Sequence, residues 1–206
     1  MGRPKTPLVE RTEALDKALE LIDRDGLNAF SVNRLAETLG VSGPALYHHF
    51  KDRDEILRQV AARIAAEAHM FPAREPSTWQ ELVNKSITRY RKALAAHPNA
   101  VPLLLPGGAA PVGYAPRERI LAKMAEQGVP ARYRYAIMDS ASLLAIASAT
   151  HETPMVDRFK ALVGHGIDSP ELERALRAAP RTAEKLFDLE LEALLRGWDA
   201  IIADAS

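Results

Sequence analysis

With 206 residues, 47% of them hydrophobic and 26% charged, and a formal net charge of zero, the chain has the make-up of a globular protein rather than a disordered one. It has no cysteine, which excludes a disulfide framework and thiolate metal centres. There is no run of about 18 uncharged apolar residues to span a membrane, and the amino terminus lacks the apolar stretch of a secretory signal, so the cytoplasm is the expected location.

Apolar residues recur at helical spacing almost throughout, without sustained alternation, and the expected fold class is all-α. The spacing predicts a first helix over 11–25, with Leu15, Leu19 and Ile22 on one face and Gly26 as its stop. A second follows Ser31 as N-cap, buries Val32, Leu35, Ala36 and Leu39, and ends at Gly40. The third starts at Ser42, with Pro44 in its first turn. Asp52 then caps a fourth, with Glu55 placed for a capping box. After the proline-bearing link FPAREPS, Ser77 and Gln80 open a long helix toward His97, lined by Trp79, Leu82, Val83, Ser86, Ile87, Tyr90 and Leu94. The stretch from Pro106 to Pro116 is a loop by composition, and further helices are expected over 117–127, 131–149, 171–178 and 182–204.

Chemistry concentrates in the third helix. At about 100° per residue, Ser42, Leu46 and Phe50 share one side. Gly43, Pro44, Tyr47 and His48 share the other, and His49 lies at the border. Small residues at the tip let the helix approach a concave surface closely. With the preceding helix and its tight turn it forms a helix-turn-helix, whose second helix reads the major groove. The Tyr47 hydroxyl suits a phosphate or base edge, and its ring or Pro44 suits a thymine methyl. Ser31 opens a helix start that seats a phosphate, with Asn33 and Arg34 in the same first turn. Lys51 and Arg53 flank the reading helix, and Arg3 and Lys5 form a basic arm. Residues 1–60 hold nine Lys/Arg against ten Asp/Glu, so contact with DNA rests on local placement and not on bulk charge.

LAETLGVSGPALYHHFKDRDEIL follows the pattern Leu-Ala-x-x-Leu-Gly-Val-x-x-x-x-Leu-Tyr-x-His-Phe-x-x-[Lys/Arg], and in residues 10–60 the chain resembles the TetR family of bacterial transcriptional repressors. The resemblance implies DNA contacts by Ser31, Asn33, Gly43, Pro44, Tyr47, His48, His49 and Arg53. Ala45 stands at a position often held by Thr or Ser, which removes one side-chain hydrogen bond. Past residue 70 the segments HMF, STWQELVNKSITRYRKAL and KLFDLELEALLRGWDAI resemble the core of the tetracycline-repressor branch. His69 is kept near the equivalent entrance, but AVPLLLP has no histidine where that branch places a metal ligand, which leaves the effector unassigned.

The expected organisation is a helix-turn-helix DNA-binding domain over 1–52, a connecting helix over 53–71, and a helical effector-binding and dimerisation domain over 72–206. Tyr90, Ile87, Met138 and Leu144 either line an effector cavity with His69 at its mouth or fill the core. The stripe Phe187, Leu191, Leu194, Trp198 and Ile201 is intramolecular core or, with Ala141, Ala145 and Ser148 of the uncharged 140–150 stretch, half of a four-helix bundle with a second copy. The expected partners are a double-stranded DNA operator, an unknown small-molecule effector and a homodimer mate. No cofactor or metal is expected. The rival readings are a helical enzyme or metal carrier using His48, His49, His69 and His97, and an activator of the same family.

Overall fold

The computed structural model describes residues 10–68, 76–105, 114–150 and 169–205, and every regular element among them is a helix. Two units emerge. One holds residues 10–67 and 96–105; the other holds residue 68, residues 76–95, and residues 115–150 and 169–205.

In the first unit, α1 (Arg11–Asp25) buries Ala14, Ala18, Leu19, Leu21 and Ile22. Leu15 is only half-buried. Gly26, at φ 83°, turns the chain and donates to the Ile22 carbonyl at 2.8 Å. A short turn, Leu27–Ala29, leads into α2 (Val32–Leu39). Ser31 caps α2 as expected, its Oγ accepting from the Arg34 N–H at 3.2 Å. Gly40 ends it in the left-handed conformation, φ 66°, that only glycine takes without cost. Then comes α3 (Gly43–Tyr47), one short helix that inserts Leu46 into the core, followed directly by buried Phe50. Asp52 Oδ1 accepts from the Glu55 N–H at 2.7 Å and Glu55 Oε2 from the Lys51 N–H at 2.6 Å, which opens α4 (Arg53–Glu67). Its residues Ile56, Leu57, Val60, Ala61 and Ile64 complete the core.

The segment after residue 95 belongs to this unit, although the sequence groups it with the carboxy-terminal domain. Its 3-10 stretch, Pro98–Leu104, packs on α1 and α4 and buries Ala100, Val101 and Leu103. His97 Nδ1 lies 2.7 Å from Asp23 Oδ2, and Asn99 Nδ2 donates to the Asp23 carbonyl at 2.8 Å.

The second unit comprises α5 (Trp79–Ala96) up to residue 95, α6 (Tyr114–Glu126) from residue 115, α7 (Ala131–Ala149), α8 (Pro170–Ala178) and α9 (Ala183–Asp204). The expected Ser77 and Gln80 opening of α5 is displaced by one residue: Thr78 Oγ1 accepts from the Glu81 N–H at 3.2 Å. The Ser77 carbonyl instead takes Gln127 Nε2 at 2.6 Å, while Gln127 Oε1 accepts from the Trp79 N–H at 2.7 Å. α6 begins three residues before the predicted start, inside the expected loop. α7 and α9 pack together, and Trp198 Nε1 donates to Ser140 Oγ at 3.3 Å.

Candidate nucleic-acid interface

The sequence between Gly40 and Phe50 leaves α3 only five residues, too few for a stable isolated helix, so its position depends on what holds its ends. Leu46 and Phe50 anchor one side in the core. The carboxy-terminal end is gripped by Arg11, whose Nη1 donates to the His49 carbonyl at 2.7 Å and whose Nε donates to Gln59 Oε1 at 3.0 Å. The same guanidinium pairs with Glu55 and lies 4.9 Å from the centre of the Phe50 ring. The Lys51 backbone N–H most of all, and then the Arg11 side chain, hold the Glu55 carboxyl below its usual range, against the opposing effect of desolvation. Nothing in the sequence pattern marks Arg11 as part of the site, because its partners lie 38 to 48 residues away.

What this clamp presents is polar and aromatic. Tyr47 is 54% exposed, Pro44 and His48 are exposed, and Gly43, Ala45 and His49 are half-buried. α2 and α3 meet where their reading residues start: a Cβ added to Gly43 would lie 3.6 Å from Asn33 Oδ1. Asn33 therefore stands beside the tip of α3, and exposed Lys51 follows its far end. Arg53 is 5.7 Å from the centre of the Phe30 ring and 3.9 Å from Asp54.

Arg34 is placed otherwise. Its Nη2 donates to Asp25 Oδ2 at 2.6 Å and its Nη1 to the Ala29 carbonyl at 2.9 Å, tying α2 to the end of α1. Asp25, bonded first by Arg24 and then by Arg34, is held down to about 2. Arg3 and Lys5 lie outside the described residues.

In the second unit, Ile87, Tyr90 and Met138 are buried and Leu144 is half-buried, while His69 lies outside the described residues. Burial pushes the Tyr90 hydroxyl up, with the Arg117 charge acting the other way. Two buried polar groups on α5 escaped sequence reasoning as candidate site residues. Ser86 Oγ is buried without a hydrogen-bond partner. Arg91 is 8% exposed, with Nε donating to Ser148 Oγ at 2.8 Å and its guanidinium 5.2 Å from the centre of the Phe187 ring.

Ala141, Ala145, Phe187 and Leu191 are buried within this unit, Ser148 is the partner of Arg91, Leu194 and Trp198 are half-buried, and Ile201 is exposed. The exposed apolar side chains on these two helices are Tyr135, Leu143, Leu189 and Ile201. Among the described residues no three His, Asp or Glu side chains gather as a metal site, and no helix is long and apolar enough to cross a membrane. His97 is engaged with Asp23, away from the adjacent pair His48 and His49 on the reading surface.

The family model described as bacterial regulatory proteins, tetR family, matches residues 14–60. The chain is 26% identical to the class E tetracycline repressor protein of Escherichia coli over 194 residues, 91% of this chain and 90% of that protein. It is 27% identical to the class D repressor of Escherichia coli over 197 residues, 93% of this chain and 89% of the other. The fold is similar to that of the Streptomyces coelicolor TetR family protein ActR in complex with actinorhodin, with a TM-score of 0.79 at 23% identity, covering 97% of this chain and all of that one. It is also similar to TetR from Acinetobacter baumannii AYE, with a TM-score of 0.69 at 20% identity over 94% of this chain and 98% of that one.

Proposed function

We propose that this chain, which belongs to the tetR family of bacterial regulatory proteins, is a ligand-responsive repressor that binds a palindromic operator as a homodimer and is released by a small-molecule effector. As a transcriptional regulator of that family it carries a DNA-binding helix-turn-helix. The observation that carries the finer reading is the exposed Pro44, Tyr47 and His48 face of a short helix held at both ends. Tyr47 and His48 read base edges or ordered phosphates, while Pro44 and Ala45 offer apolar contact. Ser31, Asn33, Gly43, His49, Lys51 and Arg53 position the backbone, with Arg3 and Lys5 adding contacts from the arm. Arg34 acts as a brace on α2 in the arrangement described above.

The second unit is the effector domain in this reading, with Ile87, Tyr90, Met138 and Leu144 as apolar walls. Support comes from the likeness to repressors named for tetracycline and to a fold whose solved structure contains actinorhodin. The homodimer is supported by an exposed row on α9, Leu189, Ala193, Gly197, Ala200 and Ile201, beside exposed Leu143 of α7. Phe187 and Leu191 then act from inside, shaping the helix pair and not touching the mate.

Selection of bound sequences from random duplex DNA tests the core of the proposal. The expected product is an inverted repeat whose half-sites are roughly one helical turn apart, about 34–36 Å, or a little more. Recovery of no enriched sequence at moderate salt would remove it.

A further inference from the structure

Arg91 is out of place for a structural residue. A buried guanidinium is ordinarily matched by a carboxylate, because an unmatched charge away from water is costly. Here the neighbouring cation on α5, Lys92, is exposed and yet lies 3.5 Å from Glu184, whereas Arg91, more than nine-tenths buried, meets no carboxylate. Its only polar partner among the described residues is the neutral Ser148 hydroxyl, which occupies Nε. The Phe187 ring lies beside the guanidinium and limits its motion. Neither terminal nitrogen is sealed off from solvent without a partner, since the buried unpartnered polar atoms are Asp23 Oδ1 and Ser86 Oγ. The Nη1 and Nη2 edge, with four N–H donors, is therefore unclaimed.

We infer that Arg91 is the anion-recognising residue of the second unit and that the effector carries a carboxylate seated on its Nη edge. This inference rests on the reading of that unit as the effector domain. The guanidinium edge matches the two oxygens of a carboxylate in a bidentate, charge-assisted pair. Its orientation is set before the ligand arrives, by Ser148 on α7 and Phe187 on α9, so little freedom is lost on binding. The rest of the ligand is apolar, because Ile87, Tyr90 and Leu94 occupy the buried arc of α5 around Ser86 and Arg91. An aromatic acid combines both features. Tetracycline-like chelation through a metal is not required by this pairing.

The test uses matched pairs of one- to four-ring aromatic carboxylic acids and their primary amides, from naphthoic acid to anthraquinone-2-carboxylic acid, measured by thermal stabilisation and calorimetry on the full chain. The expected result is that acids bind and the corresponding amides bind about 10- to 100-fold more weakly. Arg91→Met should lose that preference, keep operator affinity, and melt no lower than the wild-type protein without ligand, since it removes an unmatched buried charge. Arg91→Lys should retain a reduced preference, because a lysine supplies charge without the planar fork. A panel in which no acid outbinds its amide overturns the inference. So does an Arg91→Met protein that melts several degrees lower, which would make the guanidinium a part of the fold. Amides that bind equally well and release the operator would leave the effector reading standing and remove only the acid. Ligands that bind without altering operator affinity would instead remove the effector reading.

Discussion

Replacing Arg11 by methionine keeps the aliphatic stem and removes every polar contact that holds the carboxy-terminal end of α3. The lost contacts are a charged hydrogen bond to the His49 carbonyl at 2.7 Å and a ring contact with Phe50 at 4.9 Å, besides the surface pair with Glu55. The hydrogen bond contributes about 1.5 kcal/mol at the low end for a charged donor, and the ring contact about 0.5 kcal/mol at a half-exposed site. The surface ion pair adds little to this sum, because solvent screens it and ordering two long side chains opposes it. The total, about 2 kcal/mol, should lower the melting midpoint by roughly 4–8 °C for a chain of this size. The effect on DNA is separate. If the end of α3 loosens, each residue that must be ordered again on the operator costs about 1–2 kcal/mol, roughly 5- to 30-fold in Kd. Fluorescence anisotropy on a selected operator, beside a thermal melt of the same sample, reads both quantities. A variant that melts lower but binds within about twofold of wild type would show that Arg11 supports the fold and does not position the reading helix.

Tyr47→Ala should weaken operator binding by about 1–3 kcal/mol with the melt unchanged, whereas Lys51→Ala should mainly reduce the slope of log K against log salt by about one. Equal salt slopes for the two variants would refute the division of labour between them. Asp25 has its carboxyl pulled to about 2 by Arg24 and Arg34, below the ordinary 3.8, so its stabilising effect is fully present above about pH 4 and lost as pH falls through about 2. Asp25→Asn should therefore lower the urea midpoint at pH 6 and narrow its fall between pH 4 and pH 2; an unchanged acid limb would show the pairing to be absent in solution. Gly197 has a helical position with open space where a Cβ would sit, so nothing within the protomer requires glycine there. Gly197→Ala should then stabilise the isolated helix by up to about 1 kcal/mol, while Gly197→Glu should convert dimer to folded monomer in sedimentation. A dimer unaffected by the glutamate would place the mate on another face.

The DNA-reading unit was legible because its signals are local. Gly26 and Gly40 stop helices where positive-φ backbone demands them, Ser31 caps the next, and Leu46 and Phe50 fix which side of α3 faces the core. Arg11 and Arg34 were illegible in role because their partners are set by packing. Arg34 reads as a solvent-facing cation in the first turn of α2 until α1 brings Asp25 within reach. The last helix was misleading for a related reason. Periodicity finds an apolar stripe but not which of two neighbours covers it, and Phe187 and Leu191 turn out to be buried within the unit, leaving Leu189 and Ile201 exposed. Arg91 is the extreme case, a cation on the buried arc of a helix whose significance lies in the acid that it lacks.

The two units are joined by chain as well as by role. α5 carries Tyr90 and Arg91 in the second unit and runs to Ala96; the next residue, His97, is already part of the first, engaged with Asp23 of α1. About one and a half turns of continuous helix separate the guanidinium from that pin. A helix transmits an axial shift along its length without absorbing it, because its hydrogen bonds fix the rise per residue. A ligand that seats differently on Arg91 in two arrangements of the second unit therefore acts on the carboxy-terminal end of α5, and through His97 and Asn99 on the helix that carries Arg11. Arg11 in turn grips the end of α3. Reciprocity fixes the size of the effect: a ligand held about 100-fold better by the released form contributes about 2.7 kcal/mol toward dissociation, and operator DNA must weaken its binding by the same factor. The cation that recognises the ligand and the cation that positions the reading helix are thus joined by a route of bonded contacts and helical backbone, with each step a named pair.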